Sequence, residues 1–159
     1  MSNFHIKPPS ANSQGFAYLA LLILLIIIGA ALAGAGQSYS AVRKRDKEQE
    51  LLKVGNQFRL AIGQYYQHTP SIIKQYPPTL ESLVLDKRFA KPRRYIREIY
   101  RDPTTGNNDW GILEAPGGGI MGIYSLSAED AIKTKNFRLI NKSFENKKHY
   151  SDWIFFYVP

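Results

Sequence analysis

Cysteine is absent from this 159-residue chain, so no disulfide can staple it, and that absence neither supports nor excludes a periplasmic location. Histidine is scarce. His5, His68 and His149 are scattered without metal-ligand spacing. His149 lies near Ser151 and Asp152, but adjacency in sequence is not the geometry of a catalytic triad, and the segment reads as a solvated loop before a strand. Acidic residues are outnumbered, 13 against 21 Lys and Arg, which leaves a formal charge of +8. Two absences are local: residues 16–36 contain no charge, and residues 16–69 contain no proline. The uncharged run is 21 residues long, and as a helix it would span about 30 Å, the thickness of a bilayer core.

A cleaved secretory signal does not fit this run, because its apolar region would be about 7–15 residues long and end in a small-residue cleavage site. Ala33, Gly34 and Ala35 supply small residues, but too far along. A transmembrane helix over 16–36 is predicted, with an ordinary single-pass signal anchor as the competing reading. The order in which the segments come narrows the choice. A polar leader, residues 1–15, meets the apolar run at Gly15-Phe16; Gly29 lies within the run, and a polar amphipathic stretch follows. This arrangement resembles the class III signal of type IV pilins and type II secretion pseudopilins. The resemblance implies cleavage by a prepilin peptidase between Gly15 and Phe16, methylation of Phe16, and residence in the bacterial inner membrane with the C-terminal domain in the periplasm. It also implies, as partners, other pilins or pseudopilins, an inner-membrane assembly platform and membrane lipid, with Ala20 and Gly29 among the subunit-packing positions in the membrane. Most members of the family carry a glutamate five residues into the mature chain, whose carboxylate neutralises the α-ammonium of a neighbouring subunit. Here that position is Ala20. An unpaired ammonium in hydrocarbon is costly, and minor members without the glutamate are thought to sit at the filament tip, so the resemblance implies a minor subunit.

Charge points the other way on orientation. Arg43, Lys44, Arg45 and Lys47 follow the apolar run, against Lys7 and the α-amino group before it. The positive-inside rule would therefore keep the C-terminal flank in the cytoplasm.

Residues 37–68 are predicted to continue as an amphipathic helix. Leu51, Gly55, Phe58, Ile62 and Tyr65 recur at spacings of four, three, four and three, while Leu52, Ala61 and Tyr66 widen the stripe and charged residues fill the other face. One helix half in the membrane and half the spine of a small domain is the architecture of pilins. Pro70 ends it, and a turn at Tyr76-Pro77-Pro78-Thr79 leads to a short helix with Thr79 as N-cap and Leu80, Leu83 and Val84 as its apolar face. Strands are predicted over 110–113, 120–126 and 152–158, separated by turn formers at 102–109 and 116–119. The fold class is α+β and pilin-like: the long helix packed on a small antiparallel sheet of about three strands, with residues 69–159 completing the domain. Tyr100, Asp102, Pro103 and Gly106 before a tryptophan strand, then Tyr124-Ser125-Leu126-Ser127, are similar to the segment between helix and sheet of the major pseudopilin.

Catalytic signals are poor, and an enzyme is not expected. Gly117-Gly118-Gly119-Ile120-Met121-Gly122 satisfies G-x-G-x-x-G, but Pro116 precedes it and a β-like segment follows, so it reads as a hairpin turn. Many major pseudopilins bind calcium in an acidic loop after the second strand; here that loop offers Glu129 and Asp130 against the six to eight oxygen ligands calcium takes. No metal and no cofactor are expected. The candidate binding site is the basic connector carrying Lys87, Arg88, Lys91, Arg93, Arg94, Arg97 and Arg101. Cations on this scale suit acidic partner proteins, and with Phe89, Tyr95 and Tyr100 interleaved they also suit nucleic acid. The expectation is a non-enzymatic pseudopilin-like subunit, a minor one, of a type II secretion or type IV pilus-like filament; the alternative is an uncleaved single-pass binding module contacting acidic partners or DNA.

Overall fold

A computed structural model describes the backbone of residues 13–159, with side chains for 15–30 and 39–159. With no proline to interrupt it, the chain forms a helix, α1, over Ser13–Gln67. The helix stops where the Thr69 hydroxyl donates back to the Tyr66 carbonyl at 2.8 Å and Pro70 follows. The chain divides into two compact units between Val42 and Arg43.

In the first unit, the described part of α1 carries apolar side chains that are exposed all round: Phe16, Tyr18, Leu19 and every residue from Leu21 to Ile28. The expected membrane helix, 16–36, thus begins as a helix, and the side chains of 31–36 lie outside the described residues, as do residues 1–12 of the expected leader. Among the described residues no helix is long and apolar enough to cross a membrane. The Gly15-Phe16 junction lies inside α1, which starts at Ser13.

The second unit is α+β. Leu51, Val54, Phe58, Ala61, Ile62 and Tyr65 form the buried stripe of α1, in one core with Trp110, Ile120, Ile123, Trp153 and Phe155. Strand β1 (Gly111–Glu114) pairs antiparallel with β2 (Ile120–Tyr124), which pairs antiparallel with β3 (Phe155–Phe156). The glycine string is the β1–β2 hairpin turn, closed by the Ala115 N–H donating to the Gly119 carbonyl, with Gly118 and Gly119 at φ near +85° and +83°. Phe155 sits against Gly55 so closely that a Cβ there would lie 2.5 Å from its ring, and Tyr157 does the same at Gly63, at 2.8 Å. Glycines on α1 are therefore the notches that let the last strand lie on the helix.

Two local expectations are corrected. The helix α2 (Glu81–Val84) has Leu80 at its N-cap and no side-chain cap; the Thr79 hydroxyl meets the Ser82 hydroxyl at 3.3 Å instead. The third strand is shorter than 152–158, because a 3-10 turn over Tyr150–Asp152 precedes it and turns Trp153 into the core. The aromatic run read as strand is mostly core-facing rings. Pairing extends one position past β3, where the Tyr157 N–H donates to the Met121 carbonyl at 2.9 Å.

Candidate partner-binding surface

The connector from α2 to β1 begins as a closed loop. Asp86 and Arg93 exchange backbone hydrogen bonds of 2.8 and 3.1 Å, bringing the two ends of the basic segment together. Asp86 is buried, which opposes its charge, but the Arg88 side chain and backbone N–H and the Tyr95 hydroxyl all donate to it and hold its carboxyl below the ordinary value. Arg88 spends its other donors on α1: Nη2 reaches the Tyr65 carbonyl at 3.0 Å, Nη1 reaches Thr69 Oγ1 at 3.1 Å, and the guanidinium lies 3.5 Å from the Tyr65 ring centroid. Burial disfavours the Arg88 charge, yet the bond to Asp86 together with the Asp86 charge and the Tyr65 and Tyr95 hydroxyls outweighs it and raises its pKa.

Arg88 therefore leaves the patch predicted from sequence. It fastens the connector to the end of α1, with Nε, Nη1 and Nη2 each engaged within the fold. Arg93 stacks over Phe89 at 4.3 Å. Lys87, Lys91, Arg94, Arg97 and Arg101 are exposed, and no hydrogen bond or ion pair within the described residues engages their side chains. Arg94 and Arg97 border a groove of about 650 Å³ between the connector and α1, floored by Leu60, Ala61, Tyr95 and Ile96.

Of the aromatic residues interleaved with these cations, Tyr95 and Tyr100 pack against the core and Phe89 is stacked by an arginine. Tyr95 packs edge-on against Tyr65 and bonds Asp86 at 3.0 Å, Tyr100 meets Phe58 edge-on at 6.0 Å, and Phe89 lies under Arg93. All three rings are half-buried. None stands free as a platform for a base to stack on.

The residues predicted for processing and membrane packing, Gly15, Phe16, Ala20 and Gly29, are all exposed on α1, and a Cβ added at Gly15 or Gly29 would meet nothing within 4 Å. Around the predicted acidic loop, Glu129 lies 3.8 Å from Lys44 Nζ, and Asp130 lies 3.1 Å from His149 Nδ1. Among the described residues no group of three or more His, Asp or Glu is placed to hold a metal ion.

Besides Asp86, two buried charges escaped the sequence reading, Glu48 and Arg59, and a third, Asp102, lies in a motif it singled out. Glu48, expected on the charged face of the helix, is buried and accepts the backbone N–H groups of Ile132 and Lys133 at 2.8 and 3.1 Å and the Tyr150 hydroxyl at 3.1 Å. Burial first, then the Glu48 charge, pushes the Tyr150 hydroxyl well above its ordinary range. Arg59 is buried under the rings of Phe144 and Phe155 and donates to the Ile140 carbonyl at 2.7 Å and Asn141 Oδ1 at 2.8 Å; burial lowers its pKa. Asp102, fully buried, accepts from the Thr104 hydroxyl and from Ser125 Oγ, which in turn accepts the Ser127 N–H. Asp102 and Ser125 belong to the two motifs singled out from sequence, and the structure brings them into contact.

Comparison with protein families, with curated proteins and with solved structures gave no match to this chain.

Proposed function

We propose that this chain is a non-enzymatic, membrane-anchored filament subunit of the type IV pilin and type II secretion pseudopilin kind, in a minor position. The observation that carries the reading is the change of character within α1. Up to Ile28 its large apolar side chains are exposed, as suits a helix made for lipid and for the helices of neighbouring subunits; from Leu51 to Tyr65 its stripe is buried under a small antiparallel sheet. Gly15-Phe16 at the head of the apolar run, and the open space at Gly29, fit cleavage by a prepilin peptidase and close approach of another helix. Arg43, Lys44 and Arg45 favour the opposite topology and the alternative of an uncleaved single-pass binding module.

Expression beside a prepilin peptidase separates the two. Intact-mass analysis of protein extracted from the inner membrane should show loss of residues 1–15, Gly15→Val should abolish that loss, and a phosphatase fused after Pro159 should be active in the periplasm. A full-length N-terminus with an inactive phosphatase fusion would overturn the filament reading.

A further inference from the structure

We infer that the groove between α1 and the basic connector is a docking site for an acidic, partly apolar protein segment, an inference that does not rest on the filament reading. Between Lys87 and Arg101 the one acid is Glu98, and it is exposed and bonded to none of the cations. Crowding Lys91, Arg94, Arg97 and Arg101 onto one short connector without counter-charges is repulsive. The fold does not use them: of the connector's cations it is Arg88 whose side chain bonds back to α1 and its end. Charge complementarity thus calls for an anionic occupant.

The groove also has an apolar floor. Leu60 is 60 % exposed on α1, facing a cleft that already contains Ala61, Tyr95 and Ile96. Covering a leucine of this kind favours an occupant with its own apolar side chains set among carboxylates, bound like the rim and core of a small interface. Nucleic acid fits less well, because Tyr95 and Tyr100 are packed against α1 and the Phe89 ring is already stacked by Arg93. A lipid surface fits less well too. Gln57, at the near end of the groove, is fourteen positions along α1 from Arg43, roughly 21 Å of helix, whereas headgroup potential decays over about 8 Å at physiological salt.

The test uses the full chain in phosphatidylcholine nanodiscs and a fluorescein-labelled peptide of four Glu-Glu-Leu repeats, read by anisotropy. Arg94→Glu with Arg97→Glu should weaken binding about tenfold or more, whereas Lys135→Glu with Lys147→Glu, an equal charge change at exposed sites elsewhere, should alter it by about twofold or less. Leu60→Ser should weaken the peptide severalfold while leaving an all-glutamate peptide of the same charge unchanged. Equal losses from the two charge-reversed pairs would mean binding by overall charge and would overturn the inference. So would tighter binding of a twelve-nucleotide oligo-dT through Arg94 and Arg97, or displacement of the peptide when phosphatidylglycerol is added to the nanodiscs. All variants alter exposed side chains, and unchanged fluorescence of Trp110 and Trp153 would establish that the domain is folded in each.

Discussion

Asp86 and Arg88 are two positions apart, and their pairing decides how the connector lies on α1. With Asp86 buried and three of the Arg88 contacts on α1 or its end, removing the arginine strands a carboxylate inside the domain. Arg88→Ala should cost about 3–5 kcal/mol of stability, as loss of one partner of a buried pair does. Both tryptophans lie in the second unit, so a urea titration followed by their fluorescence reads that unit alone. The pair also makes stability depend on pH. The Asp86 carboxyl titrates lower in the folded chain than its unfolded value of about 3.9, so the unfolded state takes up the proton first as acid is added. The contribution is complete above that unfolded value and is lost as pH falls through the folded one. Asp86→Asn should therefore lower the urea midpoint at pH 7, and the gap to the parent chain should narrow as pH falls below the unfolded value of about 3.9. A gap that stays constant from pH 7 to pH 3 would mean that the carboxylate's charge is not what the fold uses.

At the scale of elements, β3 is held on α1 by rings seated on glycines. A methyl at Gly55 meets the fully buried Phe155 ring, which has nowhere to go; overpacking of about 1–3 kcal/mol exceeds the helix-propensity gain of about 1 kcal/mol. With a rigid ring 2.5 Å away the cost lies at the upper end, so Gly55→Ala should lower stability by up to about 2 kcal/mol net. Gly63→Ala should cost less, because the Tyr157 ring it meets is only half-buried and can swing outward. Urea midpoints of the two variants check the order, and a Gly55→Ala chain as stable as its parent would refute the notch. The helix stripe, the glycine hairpin turn and the three strands were legible because apolar periodicity and turn chemistry are local. Arg59 and Glu48 were not. Their partners, Asn141 and Tyr150, are 82 and 102 positions away, and a charged side chain crossing to such a partner leaves no periodic trace. Arg88 was misread for a related reason: in a run of cations, sequence does not tell which one has an inward-facing carboxylate beside it.

For the whole molecule, Ala20 is where the proposed role is tested most sharply. A subunit at the filament tip has no subunit above it, so its N-terminal ammonium stays near the headgroups and a carboxylate at position 20 would have no partner. Burying that charge costs several kcal/mol unless it is neutralised. Ala20→Glu should therefore give no gain in cross-linked filament yield at matched expression; longer filaments rich in the variant would refute the minor position. The 102 positions between Glu48 and Tyr150 bear on how the chain is made as well as on how it stands. On the ribosome α1 can wind as it emerges, since its bonds are local, but the part of its stripe around Gly55 stays bare until residues 150–157 emerge to cover it. Contacts of such long range fold slowly, and an uncovered apolar stripe is prone to association while it waits. The helix is made first and covered last.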